Sequence, residues 1–249
     1  MPYRADKDLD FLGQISSQDL NDLVFCLTHD RDGKIRWTEQ LTVDSAYQQH
    51  FPNHHKYWQQ IAAEVQLFGG NTIANVFRGG EGVMYRETLM NVCDKVKANY
   101  NKASNIVVIE QNLLMRILTD AMDHMTPEEL AELARATGTK HASALTPQAL
   151  TVVFQAVFRA GGVMSLRLTY IIVNMVAKAI LGRGLTLATN TVLLRTVAII
   201  TGPAGWIATG LWTAFDIASP AYRVTIPAVL HIAVLRQKYL ASKATAGNP

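Results

Sequence analysis

The sequence predicts an all-α protein in two parts, an amphipathic helical bundle over residues 1–140 followed by an apolar, Gly-rich helical region over residues 141–249. Three observations carry that expectation. Apolar residues in the first part recur at spacings of three and four, the period of a helix with one buried face, and no alternating strand pattern competes with it. Residues 1–140 hold 14 Lys/Arg against 19 Asp/Glu (net −5), whereas 141–249 hold 9 Lys/Arg and one acid, Asp216 (net +8). From Thr196 to Phe215 the chain runs 20 residues without a charge, about the length that spans a bilayer. The averages conceal this division: net charge is +3, and a mean hydropathy of +0.09 is low for a polytopic membrane protein.

The elements follow in order. Asp8-Leu-Asp-Phe-Leu12 begins a short helix, and Ser16-Ser-Gln-Asp19 is a capping-box-like start for a second, which carries Leu20, Leu23, Val24 and Leu27 on one stripe. Thr28-His-Asp-Arg-Asp-Gly33 ends it as a polar turn, because its acids lack the later ligands and closing Glu of an EF-hand. Trp58–Phe68 places Trp58, Ile61, Ala62, Val65 and Phe68 on one side, and Gly69-Gly70-Asn71 ends or kinks that helix. Arg78-Gly79-Gly80-Glu-Gly82 links it to a helix over Val83–Val96. Ile106–Met125 is the clearest amphipathic helix, and Thr126-Pro-Glu-Glu129 starts the next with a capping hydroxyl, Pro at the first position and acids in the first turn, stopping near Thr137-Gly138.

Past residue 141 the helices lose their polar face. Thr146-Pro147 opens a segment through Phe158, Gly161-Gly162 breaks it, and Leu166–Leu181 follows to the turn Gly182-Arg-Gly184. Leu185–Ile200 leads to Gly202-Pro203, Ala204–Phe215 completes the uncharged run, and Pro227–Ala241 forms a last helix with Arg236, Lys238 and Lys243 at its end, where cations complement the helix dipole. A helix apolar all round is either buried in a large core or inserted in lipid. Small residues at Gly161/Ser165, Thr201/Gly205 and Ala204/Ala208 suit close helix packing in lipid, and Trp206 and Trp212 suit interfacial depth. Against this, Gly202-Pro203 cuts the run into pieces too short to span alone, and Asn174, Lys178, Asn190 and Arg195 would be costly at bilayer depth.

Blocks at Asp8-Leu-Asp-Phe-Leu12, Trp58–Asn71, Ile73-Ala-Asn75, Arg78-Gly79, Tyr85 and Ala221-Tyr-Arg-Val-Thr-Ile-Pro-Ala-Val-Leu230 resemble the YaaW-like family of uncharacterised bacterial proteins. That family is grouped loosely with the ubiquinol–cytochrome c chaperones, and the resemblance implies a helical assembly factor acting beside a membrane. It brings no catalytic residue with it.

Little in the chain points to chemistry. His50 and His54 are spaced i, i+4, but Pro52 interrupts them and no Glu completes a zinc motif, so a surface turn rich in His, with no metal, is expected. No GxSxG or Ser/Lys signature appears, and the Arg78 loop lacks the GK[ST] of a phosphate-binding loop. The cations lie scattered through apolar sequence, which argues against nucleic acid. The two cysteines, Cys26 and Cys93, read as buried thiols of a reducing compartment. No long apolar segment follows the acidic start, so the acidic part is expected in the cytoplasm or on the cytoplasmic side of the inner membrane.

A non-enzymatic protein without cofactor is therefore expected. Its apolar part, as hairpin or oligomeric helices, would insert into or perturb a membrane while the acidic bundle binds a partner or regulates. The alternative is a soluble all-α chaperone that buries the same helices. Membrane lipid or another protein, a second copy included, is the expected partner. The residues expected to matter are Gly202, Pro203, Gly205, Trp206, Trp212 and Asp216 for helix packing or membrane contact. Tyr222, Arg223 and Pro227 are expected to form a joint before the last helix, and Gly69, Gly70, Asn71, Arg78, Gly79 and Gly80 a ligand loop.

Overall fold

The computed structural model describes residues 3–69, 82–138, 146–186 and 222–246. Two turns of 3-10 helix, Asp10–Gln14 and His54–Tyr57, accompany nine α-helices among those residues. They are α1 (Ser17–Thr28), α2 (Ser45–His50), α3 (Trp58–Gly69), α4 (Tyr85–Lys95), α5 (Ile106–Met122), α6 (Pro127–Ala136), α7 (Pro147–Ala160), α8 (Gly162–Leu181) and α9 (Tyr222–Ala246). The fold is all-α, and an isolated bridge between His29 and Ile35 is the extended pairing found among the described residues.

Helix starts follow local chemistry. Ser16 accepts from the Asp19 amide, Asn105 from that of Val107 and Thr146 from that of Ala149. Thr126 and Glu129 form a complete capping box with Pro127 at the first helical position, satisfying amide groups that a helix cannot bond internally. Gly161, at φ 67°, stops α7, and a Cβ there would meet only open space.

Helix α9 organises the core. Every residue from Val224 to Gln237 is buried, and the helix packs against α8 most extensively, then against α1, α4, α5 and α3. Burial on all sides is what a helix without a polar face requires. The described residues of both halves of the sequence share one core running from Leu9 to Leu235. Helix α8, 20 residues of mean hydropathy 1.5, is long enough to cross a membrane, yet 61% of it is buried inside the protein, and it serves here as a core helix against α9.

Three expectations need correction. The last helix does not begin at Pro227; it already includes Tyr222 and Arg223 and passes through the proline. Pro227 removes one internal hydrogen bond, but burial of the whole helix outweighs a preference for a helix start. Helix α8 begins at Gly162 rather than Leu166. The histidine segment is not a surface turn throughout: His54 is buried, with Nδ1 against the Tyr57 hydroxyl and Nε2 3.4 Å from Asn21 Oδ1. Tyr57 belongs to the same 3-10 turn, whereas Asn21 comes from α1, beyond the reach of local patterning.

Glu64, in α3, is buried and accepts one hydrogen bond, from the Gln40 amide at 3.0 Å, while Oε2 has no partner among the described residues. Burial, opposed by the Gln40 amide and reinforced by neighbouring Glu39, pushes its carboxyl up to about 7. A carboxyl that holds its proton more tightly when folded stabilises the fold at low pH, and that stability is lost as pH rises through the folded value. From the ordinary 4.5 to about 7, the loss amounts to as much as about 3 kcal/mol. Urea unfolding at pH 5 and pH 8 should show Glu64→Gln gaining on wild type at pH 8 but not at pH 5. Equal differences at both pH values would show that Glu64 is charged throughout.

Candidate functional site

The described part of the chain offers a buried ionic cluster and, directly above it, an open apolar groove. Glu110 lies on the apolar stripe of α5, between Ile106 and Leu113 and Leu114, and is wholly buried. Arg236 reaches it from α9, its Nε lying 3.0 and 3.1 Å from the two carboxylate oxygens. Arg236 Nη2 donates to the Asp8 carbonyl, and the Tyr85 hydroxyl donates to Glu110 at 2.7 Å. The guanidinium stands 4.3 Å over the Phe11 ring, a cation–π contact that substitutes for lost hydration. Burial raises the Glu110 pKa against the pull of Arg236 and Tyr85, and it raises that of Tyr85 further still. Both Glu110 oxygens, the Tyr85 hydroxyl and Arg236 Nε and Nη2 are held by protein, so the cluster ties α5, α9, α4 and the N-terminal segment together.

Above Arg236 the last turns of α9 emerge from the core. There Val107, Val108 and Met115 of α5, Phe158 of α7 and Leu240 and Ala241 of α9 line a groove of about 680 Å³. A second hollow of about 630 Å³ lies on the other side of α9, lined by Lys7, Asp10, Phe11, Tyr239 and Lys243, and shares Val107 and Leu240 with the first. Gln111 donates to the Phe158 carbonyl at 3.1 Å and fixes the end of α7 against α5. Gly161 and Gly162, both at positive φ, leave one end of the groove free of side chains. In its lining Val108 and Leu240 are 43% and 42% exposed, and Gln111, Asn112, Gln155, Arg159 and Gln237 add polar groups. Of the described lining residues Asp10 is the one carboxylate, and it accepts from the Tyr3 hydroxyl at 2.9 Å, so the groove offers no acid–base pair.

Of the expected site residues, Gly69, Tyr222, Arg223 and Pro227 are described, and none of these four lines the groove. Gly202, Pro203, Gly205, Trp206, Trp212 and Asp216 lie outside the described residues, as do Gly70, Asn71, Arg78, Gly79 and Gly80. Gly69 closes α3, and a Cβ there would come within 1.9 Å of Thr88 Oγ1, so its smallness serves the approach of α3 to α4. Tyr222 lies under the Lys95 ammonium at 5.5 Å, near the start of the described part of α9. Sequence reasoning missed Glu110 and Arg236. Their signal was present: a carboxylate on an otherwise apolar stripe, and a cation within an otherwise apolar helix.

The family profile described as ubiquinol–cytochrome C chaperone matches residues 53–230, and one for a domain of unknown function matches residues 3–37. A UPF0174 protein of Helicobacter pylori strain J99 is 48% identical over 238 residues, covering 96% of this chain and 94% of that protein. The chain belongs to the UPF0174 family, and with it to the ubiquinol–cytochrome C chaperone family. A second UPF0174 protein of that strain is 38% identical over 204 residues, 80% of this chain and 97% of the relative. UPF0174 protein YaaW of Escherichia coli K12 is 33% identical over 247 residues, 97% and 98% of the two chains. No solved structure matches. The chaperone match contains Tyr85, Glu110 and the α5 and α7 walls of the groove, and stops at Leu230 within α9.

Removing one member of a buried ion pair strands the other, at a cost of roughly 3–5 kcal/mol, whereas replacing both with apolar groups of similar volume is often near neutral. Arg236→Met and Glu110→Gln should each lower the urea unfolding free energy of this UPF0174 protein by about that amount. Glu110→Leu with Arg236→Met should recover a large part of the loss. Additive losses in the double variant would show that the two side chains do not stabilise one another.

Proposed function

We propose that this protein is a non-enzymatic, chaperone-type assembly factor that holds a helical segment of a client polypeptide in the groove between α5, α7 and the end of α9. The groove itself is the observation that supports the reading: about 680 Å³ of open space walled by three helices, more apolar than polar, with Val108 and Leu240 of its lining half in water. An amphipathic helix laid into such a groove buries those side chains and gains its affinity from apolar anchors at helical spacing. Lys7, Arg159 and Lys243 stand at the rims of the two hollows, which suits a client carrying acids beside its apolar face. The family description, a ubiquinol–cytochrome C chaperone, supports an assembly role and suggests clients with apolar helices. Burial of α8 favours a core of apolar helices over their insertion into a membrane, although residues 187–221 lie outside the described set.

A photo-crosslinking side chain placed at Leu240 or Val108 in cells should label a polypeptide, and one placed at Gln18 on exposed α1 surface should not. Leu240→Glu should cut the labelling from position 108 at least tenfold, a loss of about 1.4 kcal/mol or more of binding. Because Leu240 is 42% exposed, stability should change by no more than about 0.5 kcal/mol. Labelling of lipid alone, or labelling indifferent to Leu240→Glu, would overturn the reading.

A further inference from the structure

Beyond the expected polar turn Thr28–Gly33, the loop after α1 holds large apolar side chains out in water. Ile35 is 56% exposed, Val43 71%, and Trp37 is fully exposed at 102%. The backbone that presents them is pinned. Asp30 N–H donates to the Lys34 carbonyl at 2.8 Å and Arg36 N–H to that of Thr28 at 2.9 Å, closing a short hairpin about the His29–Ile35 bridge. The Asp30 carboxylate accepts from the amides of Asp32 and Lys34 at 3.0 and 2.9 Å. Arg36 turns back into the bundle, its Nε 3.3 Å from the Cys26 carbonyl, so Ile35 and Trp37, its neighbours on either side, are directed outward. Two residues past Trp37 the chain is tied down again, by Glu39 accepting from the Thr42 amide at 2.9 Å and by the fully buried Leu41.

Charge indicates what would meet this surface. Arg31 and Lys34 are exposed at the turn, while the Asp30 carboxylate is occupied by backbone amides, leaving Asp32 as the exposed acid of the hairpin. The turn at Gly182 and Arg183 sits beside it: a Cβ on Gly182 would lie 3.5 Å from the Arg31 carbonyl, and the Arg183 guanidinium is 4.0 Å over the Phe25 ring of α1. Three residues after Arg183 the sequence enters its least charged stretch, with Arg195 the one charge between Thr186 and Asp216. The hairpin therefore stands beside the root of the most apolar part of the chain.

We propose that the Ile35–Trp37 hairpin is a docking element for an anionic lipid surface. Its indole and Ile35 enter the headgroup layer, where an amphipathic ring is favoured, and the exposed Lys34 meets lipid phosphate. This assigns a role to the 3–37 region, outside the chaperone match at 53–230, and it stands independently of the groove.

Co-sedimentation of the full chain with vesicles tests it. Wild type should bind phosphatidylglycerol–phosphatidylcholine vesicles more tightly than pure phosphatidylcholine, and less as salt rises. Trp37→Ser should weaken binding at least tenfold and Lys34→Glu severalfold, with unfolding midpoints unchanged. In a variant with Trp58, Trp206 and Trp212 replaced by Phe, Trp37 emission should shift to the blue on vesicle addition and be quenched by brominated lipid. Should that triple variant misfold, the co-sedimentation of Trp37→Ser decides alone. Absence of vesicle binding by wild type, equal binding by Trp37→Ser, or equal binding to both vesicle types regardless of salt would overturn the proposal. So would loss, in Trp37→Ser, of a soluble protein partner while vesicle binding is kept.

Discussion

The contact between Glu110 and Arg236 constrains more of this structure than any other. A guanidinium on a helix that is otherwise buried and largely apolar has few acceptable positions, because leaving it unpaired in the core costs several kcal/mol. Glu110 faces the same difficulty on the stripe of α5. Each satisfies the other in one register of α9 alone, since a displacement of one residue along the helix rotates a side chain by about 100°. The Asp8 carbonyl and the Tyr85 hydroxyl complete the set of partners, and through them the N-terminal segment and the start of α4 are referred to the same point. Apolar packing supplies the drive to bury α9, but it is tolerant of sliding; the ion pair is not.

The charge asymmetry of the sequence takes on a physical meaning from this. Among the described residues, acids of the first 140 positions meet cations of the last 109 at three places: Glu110 with Arg236, Asp19 with Lys238, and Asp22 with Arg183. Asp22 also accepts from the amide and hydroxyl of Thr186, both at 2.6 Å, fastening the stretch after α8 onto α1. The exposed parts of these contacts contribute little individually. Their buried ends matter more, because a net −5 segment and a net +8 segment that share one core are complementary at defined points rather than merely attracted.

Local signals in the sequence were legible where the determinants are local. Ser16, Thr126 and Thr146 cap helices as their side chains demand, and the stripes of α1, α3 and α5 face the core. Pro227 misled because a start signal within one turn competes with burial from Val224 to Gln237, and that burial is set by partners distant in sequence, α8 foremost. His54 misled because Asn21, brought in by α1, supplies part of its environment beside its near neighbour Tyr57. Composition alone could not decide whether an all-apolar helix faces lipid or protein; for α8 the packing of α9 against it supplies the answer. Glu110 and Arg236 were visible as two anomalies, each a charge where the period calls for an apolar residue, and pairing them requires knowing which helices meet.

The groove follows from the same geometry. Helix α9 is sealed on every side as far as Gln237, one residue beyond the ion pair, and then Lys238 and Tyr239 are half-buried and Leu240 exposed. Its final turns project past the cluster with α5 on one side and the end of α7 on another, and the Gly161-Gly162 pair brings no side chain to fill the gap. An apolar hollow there is the consequence of a long helix anchored by a charge near its middle and covered only on its first half. A shorter α9 would take away one of its walls, so the pair that holds the core together also sets where the core stops and an open surface begins.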